Sequence, residues 1–453
     1  MRYRYTLFFI LTLFSAADRA DGPAAAVAAL GGSQLTPVGA ERAGNAAGTI
    51  PPWTGGITAP PAAYVPGKQE VDPFADDAPL YTITADNMAG HADKLSPGQQ
   101  ALLRAYPDSW RMQVYPTRRS ASYPEWVYQA VEENARTAKV LREGKGGVAG
   151  ANVSSPFPVP GSGVEVVWNH NLRWRGIRVQ RSFGQAAVTQ RGHYTVTIAL
   201  QDFAFPYAAH PDDAVLTKFP NMLLALKTKT IAPGLISGDG ALVLEPIDQT
   251  HEPRKTWNYN RNLRRILRAP YIANAYPAAN TDNLRTVDEF DMFNGSPEEY
   301  DWELKGKREL YIPYNAYRIH APDLEYSDVV KPQHINPELA RYEFHRVWVV
   351  EGTLKPGMKH IYGRRVLYVD EDSWQIAVAD NYDLDGKLWR TSEAHALNYY
   401  AVPVLWSTLE VYYDLKQQRY LVSGLDNRRN PYRFTDSADP REFSPNALLY
   451  YIR

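Results

Sequence analysis

Gln375–Tyr400 reads QIAVADNYDLDGKLWRTSEAHALNYY, and its punctuation decides the fold. Two runs rich in apolar and β-branched residues flank Asp383-Leu384-Asp385-Gly386. The Asp-Gly pair predicts a tight hairpin, because a type I′ turn needs φ > 0 at its central residues. The same reading extends outward. His360–Val369 joins this pair through Asp370–Trp374, and Ser407–Asp414 and Tyr420–Leu425 follow it. Upstream, Val164–Trp168, Ile177–Phe183, His193–Phe203, Ala241–Ile247, Lys255–Tyr259, Tyr300–Pro313 and Glu343–Glu351 have the same composition between turn residues. Successive hairpins predict an antiparallel meander rather than parallel βαβ units. Ala214–Thr228 reads as one helix across that sheet.

The amino terminus differs in kind. Arg2 and Arg4 precede a short apolar core, Leu7 to Phe14, and small residues follow. That order predicts a cleaved signal peptide over residues 1–20, too short in its apolar run to span a bilayer. With no cysteine in the chain, lipid attachment at a processed cysteine, disulfides and thiol catalysis are all excluded. The expected location is the periplasm, without a lipid anchor. Cleavage removes Arg2, Arg4, Arg19 and Asp18, taking the formal charge from −1 to −3. Such a chain has no global attraction for nucleic acid.

Residues 21–161 hold 16 of the 34 prolines. Proline lacks an amide donor, so Pro51 to Pro79 reads as an extended arm, docked through Trp53, Tyr64, Phe74 and Tyr81. Two helices follow. One begins at Ser96-Pro97, a cap and first-turn signature, and runs to about Ala105; the other covers about Tyr123–Glu143. The Gly/Ser/Pro-rich stretch 144–163 marks a boundary between an arm-and-helix region, 21–161, and a barrel domain, 162–453.

Five stretches resemble a known bacterial family. They are Leu35–Ile57 (LTPVGAERAGNAAGTIPPWTGGI), Leu95–Tyr106 (LSPGQQALLRAY), Val114–Arg119 (VYPTRR), Thr256–Pro270 (TWNYNRNLRRILRAP) and Val350–Trp374 (VEGTLKPGMKHIYGRRVLYVDEDSW). The chain is similar to domain-of-unknown-function family 1329, described as outer-membrane lipoprotein-sorting-like and akin to the LolA/LolB superfamily. That resemblance implies an α+β, β-dominated fold: a large antiparallel sheet curved into an incomplete half-barrel around helices. It also implies a hydrophobic concave face and a non-enzymatic carrier of a lipid or other hydrophobic molecule. The partners it implies are an outer-membrane barrel protein and an inner-membrane transporter of the resistance-nodulation-division (RND) type. No cofactor is implied. A cargo-free structural adaptor and a periplasmic hydrolase are the alternatives.

Candidate ligand-binding residues are aromatic. Trp168, Trp257, Tyr259 and Trp348 can line a cavity, although ordinary sheet core and cross-strand packing is the favoured explanation for any one of them. Strand alternation puts Trp257 and Tyr259 on one face and Asn258 and Asn260 on the other. Arg261, Arg264, Arg265 and Arg268 form the densest basic cluster, suited to a lipid head group or an anionic partner, or simply to a solvated turn balanced by Asp288, Glu289 and Asp291. No two histidines lie closer than eleven residues, so no helical zinc pair exists and no metal site is expected. No catalytic residue set is recognisable.

Overall fold

In a computed structural model of the protein, residues 23–453 are described, except 145, 211, 214–218, 220, 262 and 270–272. The expected signal peptide therefore lies outside the described residues. Sixteen strands join in one sheet. They are β1 Tyr81–Ile83, β2 Met112–Val114, β3 Arg178–Val188, β4 Thr197–Ala204, β5 Met222–Ala232, β6 Gly240–Pro246, β7 Lys255–Asn260 and β8 Arg265–Arg268. The remainder are β9 Tyr300–Pro313, β10 Tyr342–Leu354, β11 Arg364–Asp370, β12 Ile376–Tyr382, β13 Leu388–Tyr399, β14 Val404–Asp414, β15 Arg419–Leu425 and β16 Arg433–Thr435. Their order is β1-β2-β10-β11-β12-β13-β14-β15-β3-β4-β5-β6-β7-β8, with β9 beside β10 and β16 beside β3. Pairing is antiparallel throughout, apart from one parallel bridge between Tyr342 and Val114. Among the described residues no pairing links β8 to β9, so the sheet stays open. This is the β-dominated, unclosed architecture expected.

The hairpin at Asp383 is wider than a two-residue turn. Asp383 Oδ1 accepts the amides of Asp385 (3.0 Å) and Lys387 (2.8 Å). Gly386 alone in this loop takes positive φ, at 77°. The carboxylate thus organises the loop, and a register shift between Asn381 and Tyr382 absorbs the extra residue.

Three expectations are corrected. Val164–Trp168 lies in a helix, Gly163–Leu172, packed against β9 and β10. Val166 to Leu172 are all buried, the polar Asn169, His170 and Asn171 included, so every face is enclosed and the run lacks the 3.6-residue apolar stripe that marks an amphipathic helix. Within Ala214–Thr228, residues 214–218 and 220 lie outside the described residues, and Met222 onward is strand β5. There Leu224, Leu226, Thr228 and Thr230 share one face while Lys227 takes the other, an alternation that a helical reading overlooks. The second expected helix is shorter, Glu125–Thr137, because Ala138 turns extended and Lys139–Val140 pairs with Val148–Ala149.

Pro51 to Pro79 contains no regular helix or strand. Ile57 N donates to Ser120 O (2.9 Å), Val71 N donates to the Tyr400 hydroxyl (2.8 Å), and the Tyr64 ring meets Tyr400 edge-on at 5.1 Å.

Helix Pro97–Ala105 starts as its sequence predicts. The Ser96 hydroxyl accepts Gln99 N, and the Gln99 side chain accepts Ser96 N, each at 3.1 Å. Its first turn presses on β12 and β13, where Gly98 N donates to Asp380 Oδ2 (3.0 Å). A Cβ at Gly98 would sit 2.1 Å from both Asp380 Oδ1 and Thr391 Oγ1. Gly98→Ala should therefore destabilise the protein by about 1–3 kcal/mol through overpacking. The check is the urea midpoint; a midpoint equal to wild type would mean the helix can shift without cost.

Candidate functional site

The strand register sorts residues into two faces. Asp202, Lys227, Leu242, Trp257 and Arg268 oppose one another in turn across β4 to β8. This row faces the carboxy-terminal helix, Pro445–Ile452: the Lys227 ammonium lies over the rings of Phe443 (4.7 Å) and Tyr451 (5.1 Å). The adjacent rows, Leu226-Val243-Thr256 and Gln201-Thr228-Ala241-Asn258, face the other way, into a cavity of about 740 Å³. The opposite wall comes from the segment between β8 and β9, through Arg285, Val287, Phe290 and Asn294, and from Ser407, Glu410 and Ser423 of β14 and β15. The cavity is open on one side, with apolar stretches at Leu224, Leu226, Val243 and Phe183. Its size suits a small-molecule ligand.

Four arginines and three acids border it. Arg254 is ion-paired with Glu245, and Arg261 Nε with Asp239 at 2.8 Å. Arg181 donates to Gln201 Oε1 (2.8 Å) and to the Tyr432 hydroxyl (3.2 Å). Its guanidinium carbon lies 4.8 Å from the Phe183 ring, 5.1 Å from Phe203, 5.3 Å from Trp406 and 5.5 Å from Tyr432. Burial opposes that charge, but Tyr432 and Glu410 outweigh it and hold Arg181 above its ordinary value. Arg285 sits over Tyr412 (5.6 Å) and Phe290 (5.9 Å), and its buried Nε has no hydrogen-bond partner. Burial, then the charge of Asp291, push Glu410 up. Its oxygens accept the hydroxyls of Ser407 (2.9 Å) and Tyr412 (2.5 Å).

Of the aromatic candidates, Tyr259 borders the cavity. Trp257 stands in the row facing the carboxy-terminal helix, with Arg268 6.0 Å from its ring. Trp168 is buried in the Gly163–Leu172 helix. Trp348 stacks on Trp374 at 6.2 Å under the Lys307 ammonium, away from the cavity. Strand parity grouped Trp257 with Tyr259 correctly, but the groups turned inward are Thr256, Asn258 and Asn260. Of the basic cluster, Arg261 reaches the rim, whereas Arg264, Arg265 and Arg268 are exposed on the edge strand and its turn. Asp288, Glu289 and Asp291 do not balance them. All three are buried, Asp288 against Arg365 and Asp291 against Arg173 and Arg175. The cavity groups that sequence reasoning missed, Arg181, Arg285 and Glu410, come from three distant segments and form no motif.

Two clusters have metal-ligand types, Asp288-Glu299-His360 and His345-Asp370-Asp372. An arginine already supplies the positive charge in each. Arg365 reaches Asp288 (2.8 Å) and His360 (3.3 Å); Arg119 grips Asp372 through two bonds (2.8 and 2.7 Å).

Comparison with known proteins gives the relationship. An uncharacterized protein of Pseudomonas aeruginosa is 45% identical over 418 residues, 92% of this chain and 91% of the relative. A crystal structure of a DUF1329 family protein from Desulfovibrio piger aligns with a TM-score of 0.40 at 14% identity, covering 60% of this chain and 92% of that one. A LolA superfamily protein from Nitrosomonas europaea aligns at 0.36 and 12% identity, covering 64% and 100%. Among the described residues no helix is long and apolar enough to cross a membrane. Residues 82–449 match the family described as protein of unknown function (DUF1329), and the chain belongs to that family.

Proposed function

We propose that this protein is a non-enzymatic periplasmic carrier that holds a lipid or other hydrophobic molecule in the cavity between β3–β7 and the segment before β9. The observation that carries the reading is the cavity itself. An open antiparallel sheet must cover its apolar face, and here about 740 Å³ of that face is left without a protein side chain to fill it. Burying an acyl chain there gains roughly 0.8 kcal/mol per methylene. Tyr259 reaches the cavity border from the end of β7, while Trp257, two residues earlier on the same face of that strand, packs toward the carboxy-terminal helix.

Partner contact fits the far edge of the sheet. β8 is unpaired on its outer side among the described residues, and Arg264, Arg265, Leu263 and Leu267 are exposed along it. A basic, partly apolar strand edge suits an anionic membrane surface or a membrane protein of the kinds the sequence resemblance implies, an outer-membrane barrel or an RND-type transporter.

The test is mass spectrometry of solvent extracts from protein purified gently from periplasm. Wild type should carry a hydrophobic ligand close to one per chain. Val243→Trp and Leu226→Trp, which fill the cavity, should reduce that occupancy at least about fivefold, a loss of about 1 kcal/mol or more. Wild-type protein that is clean and binds no hydrophobic dye would sink the carrier reading.

A further inference from the structure

The charges in the cavity do not cancel. Arg254 and Arg261 each hold a carboxylate, Glu245 and Asp239. Arg181 and Arg285 have none within ion-pair distance among the described residues: Arg181 is held by a glutamine, a phenol and four rings, and Arg285 by two rings. A guanidinium carries five N–H donors, and buried donors without acceptors are costly. Arg181 uses two groups, and Arg285 leaves Nε buried and unbonded. The acid that acts electrostatically on both is Glu410. Its two oxygens are already taken up by Ser407 and Tyr412. The next acid, Asp291, is consumed by Arg173, Arg175 and the Trp406 indole. Two cations therefore face an open space that offers them one shielded carboxyl.

The two arginines also belong to one locality. Arg181 lies against Phe203, Phe203 stacks on Phe290 at 5.9 Å, and Arg285 lies against Phe290. The rings around Arg181 fix its fork before any ligand arrives, which lowers the entropy lost on binding. Beside this charged patch the same cavity is lined by Leu224, Leu226 and Val243.

We propose that the cavity recognises an amphipathic acid, its single carboxylate or phosphate head held by Arg181 and Arg285 and its hydrocarbon tail laid along Leu224, Leu226 and Val243. The inference rests on the carrier reading and narrows it: the cargo is an anion with an apolar tail rather than a neutral hydrophobe. The bland alternative is that aromatic rings and Glu410 suffice for both arginines, and that the cavity is indifferent to head-group charge.

Displacement of the neutral dye N-phenyl-1-naphthylamine at pH 8 separates the two. Dodecanoate and dodecyl phosphate, both below their micelle concentrations, should displace the dye from wild type at concentrations at least about tenfold lower than 1-dodecanol. A stronger effect of the carboxylate identifies a free fatty acid as the source, and a stronger effect of the phosphate a lipid head group. In Arg285→Gln the preference of acid over alcohol should shrink to about twofold, the alcohol serving as reference within the same variant. Arg181→Gln should do the same, and the wild-type comparison stands even if that variant fails to fold. Equal displacement by acid and alcohol in wild type would overturn the proposal and leave the carrier reading intact. Failure of the dye and all three competitors to bind would overturn both.

Discussion

Asp291→Ala should cost about 3–5 kcal/mol of stability, because it strands two buried guanidiniums. Arg173 Nη2 lies 2.7 Å from each Asp291 oxygen, and Arg175 Nη1 lies 2.7 Å from Oδ2. The Trp406 indole donates to the same carboxylate at 3.0 Å. All three charged side chains are at most 3% exposed, and no other carboxylate pairs with either arginine among the described residues. Burial works against the Asp291 charge, yet Arg173 and Arg175 outweigh it and hold the carboxyl well below its usual range. Arg175 shows the converse: burial, then the like charge of Arg173, bring it down to about 10. A depressed carboxyl contributes stability above its unfolded value near 4 and loses it as the pH falls toward its folded value. The wild type should therefore lose part of its urea midpoint below about pH 4, and Asp291→Ala should show a smaller acid limb, the remainder coming from Asp288, which Arg365 also holds well below its usual range against burial. Urea titrations followed by tryptophan fluorescence at pH 7 and pH 3.5 are the check. A loss under about 1 kcal/mol at pH 7 would mean that water or a relaxed backbone takes over from the carboxylate.

The β-content of the chain was legible because its strands alternate or end at turn residues. Tyr300–Pro313 was read to the residue, and Tyr342–Leu354 and Arg364–Asp370 to within a few. The failures have physical causes. The Gly163–Leu172 helix is enclosed on every side, so its valines and tryptophan spell a strand as readily as a helix. Met222–Ala232 alternates clearly only from Leu226 onward; its first half, Met222-Leu223-Leu224-Ala225-Leu226, is continuously apolar and spells a helix as readily as a strand. That terminal helix was missed although Ser444-Pro445 repeats the Ser96-Pro97 signature, and the Ser444 hydroxyl accepts Ala447 N at 3.2 Å.

The candidate site was less legible, for a different reason. Parity showed which residues of β7 share a face but not which face is concave, since that depends on the packing of Pro445–Ile452 almost two hundred residues later. Arginine density pointed to residues 261–268, where charge is exposed. Of the arginines that border the cavity without an ion pair among the described residues, Arg181 closes a run with Arg173, Arg175 and Arg178, whose members pair with Asp291 and Asp202, and Arg285 stands alone in an irregular segment. A cavity converging from β3, β14 and the chain before β9 has no local spelling.

The second large effect concerns His320. Its Nδ1 lies 2.7 Å from Asp426 Oδ2, its Nε2 lies 3.4 Å from Glu70 Oε2, and Thr408 Oγ1 is 3.0 Å away. Burial alone would discharge this imidazole. Asp426 and Glu70 outweigh it and raise the group to about 10. A raised histidine contributes stability that is complete below its unfolded value near 6.5 and is lost as the pH rises through its folded value. The half-buried Glu299 and the buried Asp370 and Glu393 are pushed up only to about 7, chiefly by desolvation, so their titration is largely finished by pH 8. Between pH 8 and 9.5 the histidine then dominates, and wild-type stability should fall by about 2 kcal/mol. His320→Gln removes the cation and leaves Glu70 and Asp426 facing a neutral side chain in the interior. It should cost about 3–5 kcal/mol at pH 7 and flatten the alkaline limb. Urea midpoints for both proteins at pH 7, 8 and 9.5 decide the matter. A wild-type midpoint that does not move between pH 8 and 9.5 would mean that His320 is neutral in the folded state.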